Sequence, residues 1–257
     1  MSEHVRIERE GGLLAITLAR PERRNAITVA MYAALAEAFE RAAGDETIRV
    51  IGLRGEGQDF AAGNDLADFL SALPRDTEEI PVWRLLRALV ECQIPIIAAV
   101  HGNCVGIGTT MLLHCDLVIA EDGARFSLPF VDLGLVPEAA SSLILPRLAG
   151  RRRAARYLLI GEPFGVDEAL AIGLVSHRAE PGTSDEALTQ VVGALLAKPP
   201  EALRQTQRLL RYATREEMLD RMRLEGALFA DRLASPEVKE AISAFFEKRK
   251  PDFSRLA

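Results

Sequence analysis

Apolar residues fall along this chain in two rhythms. Short aliphatic or β-branched runs, LLAITLA at 13–19, RVIGLRG at 49–55, PIIAAVHG at 95–102 and DLVIAE at 116–121, are punctuated by Gly, Pro and Asp. That pattern predicts strands, several of them buried. Between the first two runs, Met31, Leu35, Ala38, Phe39 and Ala42 keep helical spacing, with Thr28 placed as N-cap and Gly44 as stop. A second helical pattern covers about 77 to 92, with Trp83, Leu86, Leu89 and Val90 on one face. Strand and helix alternate, so an α/β core is expected. After about residue 180 the rhythm becomes wholly helical: SDEALTQVVGALLA, PPEALRQTQRLLRYA, TREEMLDRMRLEGALFADRLA and SPEVKEAISAFFEKRK are separated by Pro or Ser/Thr caps. Helices added to an α/β core in this way commonly serve as a cap or as oligomer contacts. No internal repeat or low-complexity linker interrupts the chain.

A chain of 257 residues buries a sizeable core, and one large domain with a smaller appendage is the natural expectation. The net charge of −6 speaks against a general nucleic-acid or anionic-membrane binder, which needs a basic patch. From Lys198 onward, however, 13 Lys and Arg face 10 Asp and Glu, leaving −9 on the preceding segment. An anionic small ligand could meet the C-terminal part, although such charge usually just solvates helix faces. No apolar run approaches the roughly 20 residues that span a bilayer, and MSEHVRIERE lacks the apolar core of a signal peptide. Cys92, Cys104 and Cys115 form no CxxC pair, which points to buried small residues in a reducing, cytoplasmic setting. His114, Cys115 and Asp116 are adjacent, but neighbours in sequence point different ways, and no metal centre is expected there.

The chemistry sits in two glycine-bearing loops, each between a predicted strand and a helix. FAAGNDL places Gly63, Asn64 and Asp65 together, residues that tolerate tight turns. HGNCVGIGTT flanks Ile107 with Gly106 and Gly108. A helix start presents unpaired N–H groups and the positive end of its dipole, and two such loops could supply two amides to one oxygen. Glycines there could equally serve packing. A dinucleotide fingerprint is set aside, because GNCVGIG has the wrong spacing and lies mid-chain. Glu138, in GLVPEAASS, has two readings: Val136 and Pro137 could open a helix whose first turn favours an acid, or the carboxyl could move protons. Ala139, Ala140 and LILP give it apolar surroundings, which raise a carboxyl pKa.

In order and spacing, LARPERRNAIT (19–28), FAAGNDL, PIIAAVHGNCVGIG, FSLPFVDLGLVPEAASSLILPRLAG (126–150), ALAIGLVSHRAEPG (169–182) and FFEKRKPDF resemble the crotonase superfamily, the enoyl-CoA hydratase/isomerase family. The resemblance implies a spiral of ββα units with a helical C-terminal region, divided here into a core over 1–195 and a cap and oligomer-contact region over 196–257. It implies a homotrimer or hexamer acting on an acyl-CoA thioester, with coenzyme A belonging to the substrate and no separate cofactor or metal. It carries the two oxyanion amides onto Asn64 and Ile107. It carries the coenzyme A segment onto Arg24, Ala61, Ala62, Gly63, Asp65 and Leu66, with Asp65 more a brace of the loop than a proton carrier.

The chain departs from hydratases of the family at the two glutamates that activate water, where it has Thr110 and Phe130, neither able to exchange a proton at neutral pH. Peroxisomal-type Δ3,Δ2-enoyl-CoA isomerases resemble it in GNDL, in Pro129–Phe130 and in a glutamate followed by small residues. The resemblance therefore implies an isomerase with Glu138 as catalytic base. Other reactions of the superfamily (hydratase, thioesterase, dehalogenase) and a non-catalytic acyl-CoA-binding subunit are the alternatives. His101 reads as a turn variation, and Trp83 and the last helix's phenylalanines as packing groups.

Overall fold

In the computed structural model, residues 2–71, 80–212 and 214–256 are described. The chain opens with a hairpin, β1 (Val5–Glu10) and β2 (Leu13–Leu18), followed by α1 (Val29–Ala43), β3 (Val50–Gly55), α2 (Leu66–Ser71), α3 (Pro81–Glu91) and β4 (Ile96–Val100). Three short elements come next, β5 (Asn103–Val105), α4 (Ile107–Thr110) and then β6 (Leu117–Glu121). They lead to β7 (Arg125–Ser127), α5 (Ser141–Ala149), α6 (Arg151–Leu159), β8 (Phe164–Gly165), α7 (Val166–Ala171) and β9 (His177–Ala179). Four helices close the chain: α8 (Ser184–Leu196), α9 (Pro200–Tyr212), α10 (Arg215–Leu233) and α11 (Pro236–Phe246). The helix expected over 77 to 92 is α3; residues 77–79 lie outside the described ones.

Six strands form one sheet in the order β1-β2-β3-β4-β6-β9, parallel except for the first hairpin. A second sheet has the order β5-β7-β8. The aliphatic runs lack clean alternation because the large sheet is covered on both faces. Ile96, Ala98 and Val100 turn to the main core, where Met31, Leu35 and Phe39 of α1 and Leu85, Leu86 and Leu89 of α3 lie. Ile97 and Ala99 turn the other way, with Val50 and Ile119, onto Leu188 and Val192 of α8. The Thr28 hydroxyl accepts from the Met31 N–H at 3.2 Å, so α1 starts at its cap.

The carboxyl ends of β3 and β4 release the two glycine loops side by side, where open α/β sheets bind ligands. On the helical side, Arg211 of α9 fastens α3 and β6: its guanidinium donates to Leu89 O (2.8 Å), Cys92 O (3.1 Å) and His114 O (2.6 Å) and pairs with Asp116 at 3.1 Å. Phe245 and Phe246, expected to pack, are 60% and 57% exposed because α11 turns them away from the chain's own core. Trp83 packs against Gly226 of α10. Among the described residues no helix is long and apolar enough to cross a membrane.

Candidate active site

The first loop is held by bonds on both of its flanks. Asn25, fully buried and left-handed, donates from Nδ2 to Glu56 O (2.9 Å) and Asp59 O (2.8 Å). The buried Asp59 carboxylate accepts from the Asn103 N–H at 2.8 Å. Beyond it, Ala61 N–H donates to Asn103 O (3.1 Å), Ala62 N–H to Arg24 O (2.9 Å), and Asp65 N–H to Ile27 O (3.0 Å), while Gly63 O accepts from Ile27 N–H (2.8 Å). The Asn64 N–H between them has no acceptor among the described residues. Gly63 has φ +92°, which glycine enters freely, and a Cβ there would lie 3.1 Å from Val105 O.

The second loop turns at Gly106, φ +54°, whose N–H donates to Ser127 O at 2.9 Å. Ile107 then opens α4, and as the first helical residue its N–H has no intrahelical acceptor. The two loops touch at Gly108: a Cβ there would sit 2.8 Å from Ala61 O and 2.9 Å from Ala61 Cβ. Glycine is required for this approach, which keeps the segments carrying Asn64 and Ile107 together.

Glu138 lies in neither a helix nor a first turn. Pro137 does not open α5; that helix starts at Ser141, after Ala139 (φ +58°) and Ala140 (φ +56°), both left-handed. Two consecutive non-glycine residues in this region are strained. Ala139 O accepts from His114 Nε2–H at 2.9 Å, and Ala140 N–H donates to Glu225 at 2.7 Å. The residue Glu138 is half-buried overall, yet its carboxyl group is desolvated. Burial pushes its pKa up to about 8; the hydroxyl of Thr110, which donates to Oε1, pulls it down, and the carboxylate of Glu225 adds to the rise.

Three residues unforeseen from the sequence join this site. Tyr32, buried on α1, donates its hydroxyl to Asn64 Oδ1, and its pKa is raised by burial and by Glu138. His114 is buried and its pKa is lowered to about 4, chiefly by burial, so the imidazole is neutral with its proton on Nε2. Its neighbours turn elsewhere, Cys115 to Met111 O and Asp116 to Ile96 N–H and Arg211. Glu225 comes from α10, about a third of the chain away in sequence. Tyr32 and Glu225 sit in ordinary helical patterns, and only the aromatic hydroxyl and the acid among apolar neighbours could have marked them.

The remaining expected positions divide. Asp65 accepts from Arg20 at 2.8 Å and from the Asp68 N–H at 3.2 Å. Burial raises its pKa, but these bonds outweigh it and hold the carboxyl below its ordinary value. Ala61 is fully buried, Ala62 and Leu66 half-buried, and Arg24 is exposed with its Nε 3.7 Å from Asp59. His101 Nε2 contacts Gly57 O at 3.0 Å. Phe130 is buried.

A family model described as enoyl-CoA hydratase/isomerase matches residues 8–255. The 2,3-dehydroadipyl-CoA hydratase of Escherichia coli (strain K12) is 35% identical over 98% of this chain and 99% of its own. The enoyl-CoA delta isomerase 2 of Rattus norvegicus is 32% identical over 96% of this chain and 64% of its own. A solved enoyl-CoA hydratase/isomerase from Pseudoalteromonas atlantica T6c has a TM-score of 0.93 at 41% identity, covering 98% of this chain and 100% of that one. Hydratases and isomerases thus stand together among the relatives, and the choice of reaction falls to the side chains at the site.

Proposed function

The chain belongs to the enoyl-CoA hydratase/isomerase family, with its crotonase fold, and from that premise we propose that it is a Δ3,Δ2-enoyl-CoA isomerase with Glu138 as its proton shuttle. The observation that carries this reading is the desolvated carboxylate of Glu138, bonded by a hydroxyl at Thr110, where a hydratase of the family has an acid. One base suffices to move a double bond, whereas adding water calls for a second group to activate the water.

In this reaction Glu138 takes a proton from C2 of a 3-enoyl-CoA. The C–H electron pair moves toward the thioester, and the negative charge on its oxygen is held by the N–H groups of Asn64 and Ile107. Protonated Glu138 returns the proton at C4, the C3–C4 double bond shifts to C2–C3, and the carboxylate is regenerated. No net oxidation occurs, so no electron carrier or separate cofactor enters the scheme. An oxyanion donor is worth about 3–4 kcal/mol of transition-state stabilisation. A pKa of about 8 suits a group that must both accept and return a proton near neutral pH.

Coenzyme A would lie along Arg24, Ala61, Ala62, Gly63, Asp65 and Leu66, with Asp65 and its Arg20 partner bracing the loop. Assembly as a homotrimer or hexamer fits the large apolar side chains left in water, Leu209 at 76% and Leu210 at 71% exposure among them; sedimentation velocity tests it, and a monomer would refute it. The reaction itself is tested by comparing 3-enoyl-CoA and 2-enoyl-CoA as substrates of the wild type and of Glu138→Gln. Isomerisation is expected in the wild type alone, and undiminished isomerisation by the variant defeats the assignment.

A further inference from the structure

Glu225 is an unexpected residue to find buried. It lies on α10, is 4% exposed, and has no charged side chain within salt-bridge distance among the described residues. Its two oxygens are divided between two backbone amides, Ala140 N–H on Oε2 at 2.7 Å and Ser142 N–H on Oε1 at 3.0 Å. These amides bracket the start of α5, which has no side-chain cap of its own because its N-cap residue is the left-handed Ala140. A carboxylate supplied by α10 takes over the capping role and meets the positive end of the α5 dipole.

The same two bonds bear on strain. Ala139 and Ala140 are both left-handed, a conformation that alanine adopts only when its surroundings compel it. The His114 Nε2–H holds Ala139 O from one side, and Glu225 holds Ala140 N–H from the other. Ser141 N–H closes the turn by donating to Glu138 O at 3.0 Å. The backbone that carries Glu138 is therefore fixed by a clamp whose outer jaw belongs to the helical C-terminal region.

We propose that Glu225 is a positioning residue for the reaction at Glu138: by holding Ala140 and Ser142 it keeps the left-handed pair closed and sets the direction in which the Glu138 carboxyl leaves the loop. The inference rests on the reading of Glu138 as proton shuttle. It gives the C-terminal helices a share in the chemistry through α10. Charged and titratable groups surround the clamp on each side. Arg221, also on α10, donates to Ser142 Oγ at 3.2 Å; burial raises the Glu225 pKa, and the bonds from Ser142 and Ala140, with the Arg221 charge, offset only part of that rise. Glu217 of α10 pairs with Arg147 of α5 at 2.6 Å. Tyr32 of α1 faces Glu138, and neutral His114 faces Ala139. Of these, Glu225 is the acid that pushes the Glu138 pKa upward.

The test compares kcat and KM on 3-enoyl-CoA, and the pH profile of kcat/KM, for the wild type, Glu138→Gln, Glu225→Gln and Glu225→Gln/Ala140→Gly. Glutamine keeps the shape of the side chain but offers an N–H to one of the two amides. Glu225→Gln is expected to lower kcat by about 10- to 100-fold with little change in KM, the scale of a misplaced catalytic group. Its rising limb, near pH 8 in the wild type, is expected to move to lower pH because a negative neighbour of Glu138 is gone. Ala140→Gly in that background is expected to recover part of kcat, since glycine enters the left-handed region without strain.

Wild-type kcat and an unmoved limb in Glu225→Gln, with only a lower melting temperature, would overturn the proposal and leave Glu225 a plain helix cap. If that variant does not fold, Glu225→Asp carries the test: it keeps the charge and the limb while shortening the reach, so a wild-type kcat overturns the proposal and a lowered one supports it. Turnover surviving in Glu138→Gln defeats the shuttle reading itself; an inactive Glu138→Gln beside a fully active Glu225→Gln defeats only the clamp.

Discussion

Replacing Glu138 by glutamine removes a carboxyl that folding keeps protonated well above its ordinary range, and the consequence can be measured without any substrate. The unfolded chain releases this proton near its ordinary 4.5, the folded chain at about 8, because burial raises the pKa more than the Thr110 hydroxyl lowers it. Below about pH 4.5 both states hold the proton and the carboxyl costs nothing. Between 4.5 and about 8 the folded state binds the proton and the unfolded state does not, so stability falls as pH rises; above about 8 the loss levels off.

At about 1.4 kcal/mol per tenfold change in proton activity, the full interval amounts to about 5 kcal/mol as a ceiling. Partial exposure of Glu138 to water screens the charge and reduces the expected loss to about 2–3 kcal/mol. Glutamine never ionises and still accepts from Thr110, so Glu138→Gln should match the wild type near pH 4.5 and exceed it by that amount near pH 9. Urea unfolding of both proteins, followed by the fluorescence of the single tryptophan, Trp83, measures the difference. A difference that does not change with pH refutes the reasoning, since Glu138 would then titrate like a solvated carboxyl.

Other perturbations probe the frame around this group. Gly108→Ala places a methyl 2.8 Å from Ala61 O, forces the two amide-bearing loops apart, and should lower kcat by about 100- to 1,000-fold, as loss of one oxyanion donor does; kinetics on 3-enoyl-CoA checks this, and an unchanged kcat counts against the two-amide site. Tyr32→Phe leaves Asn64 Oδ1 without its donor and should cost about 1 kcal/mol of stability, with a fall in kcat larger than any change in KM. His114→Gln should lessen the stability that the wild type loses as pH falls from about 6.5 to about 4, because the buried imidazole is kept neutral there while the unfolded one takes a proton; acid titration of the unfolding free energy reads it out. Arg211→Lys should destabilise by about 3 kcal/mol or more, since an ammonium cannot reach the Leu89, Cys92 and His114 carbonyls and the Asp116 carboxylate together; chemical unfolding measures the loss.

Legible in the sequence were the alternation of strand and helix, the four aliphatic runs that became strands of the large sheet, the helical last quarter and the two glycine loops; that these four strands pair in parallel at the sheet's centre came from the fold. Each is written in residues close together in the chain: aliphatic runs for doubly covered strands, the 3.6-residue period of α1 and α3, glycines where the backbone must turn. Edge and short strands escaped. β1 reads VRIERE and buries only Val5, while β5, β7, β8 and β9 are two or three residues long, too short for a period to register. Motif order identified the family and pointed to Glu138, Asn64 and Ile107.

What surrounds Glu138 was decided by tertiary structure alone. Local pattern allowed Pro137 to begin a helix with Glu138 in its first turn; instead Glu225 and His114, from two separate stretches of chain, hold a left-handed turn there and delay the helix to Ser141, while Thr110 bonds the Glu138 carboxyl. The pKa follows the same division. A glutamate has one ordinary value in any sequence, and only the desolvation that folding brings, with the Glu225 charge nearby and against the Thr110 hydroxyl on one oxygen, moves the carboxyl to about 8. Periodicity tells a residue which face it occupies, but electrostatic energy depends on distances in space, and those are set by the packing of segments that the sequence keeps far apart.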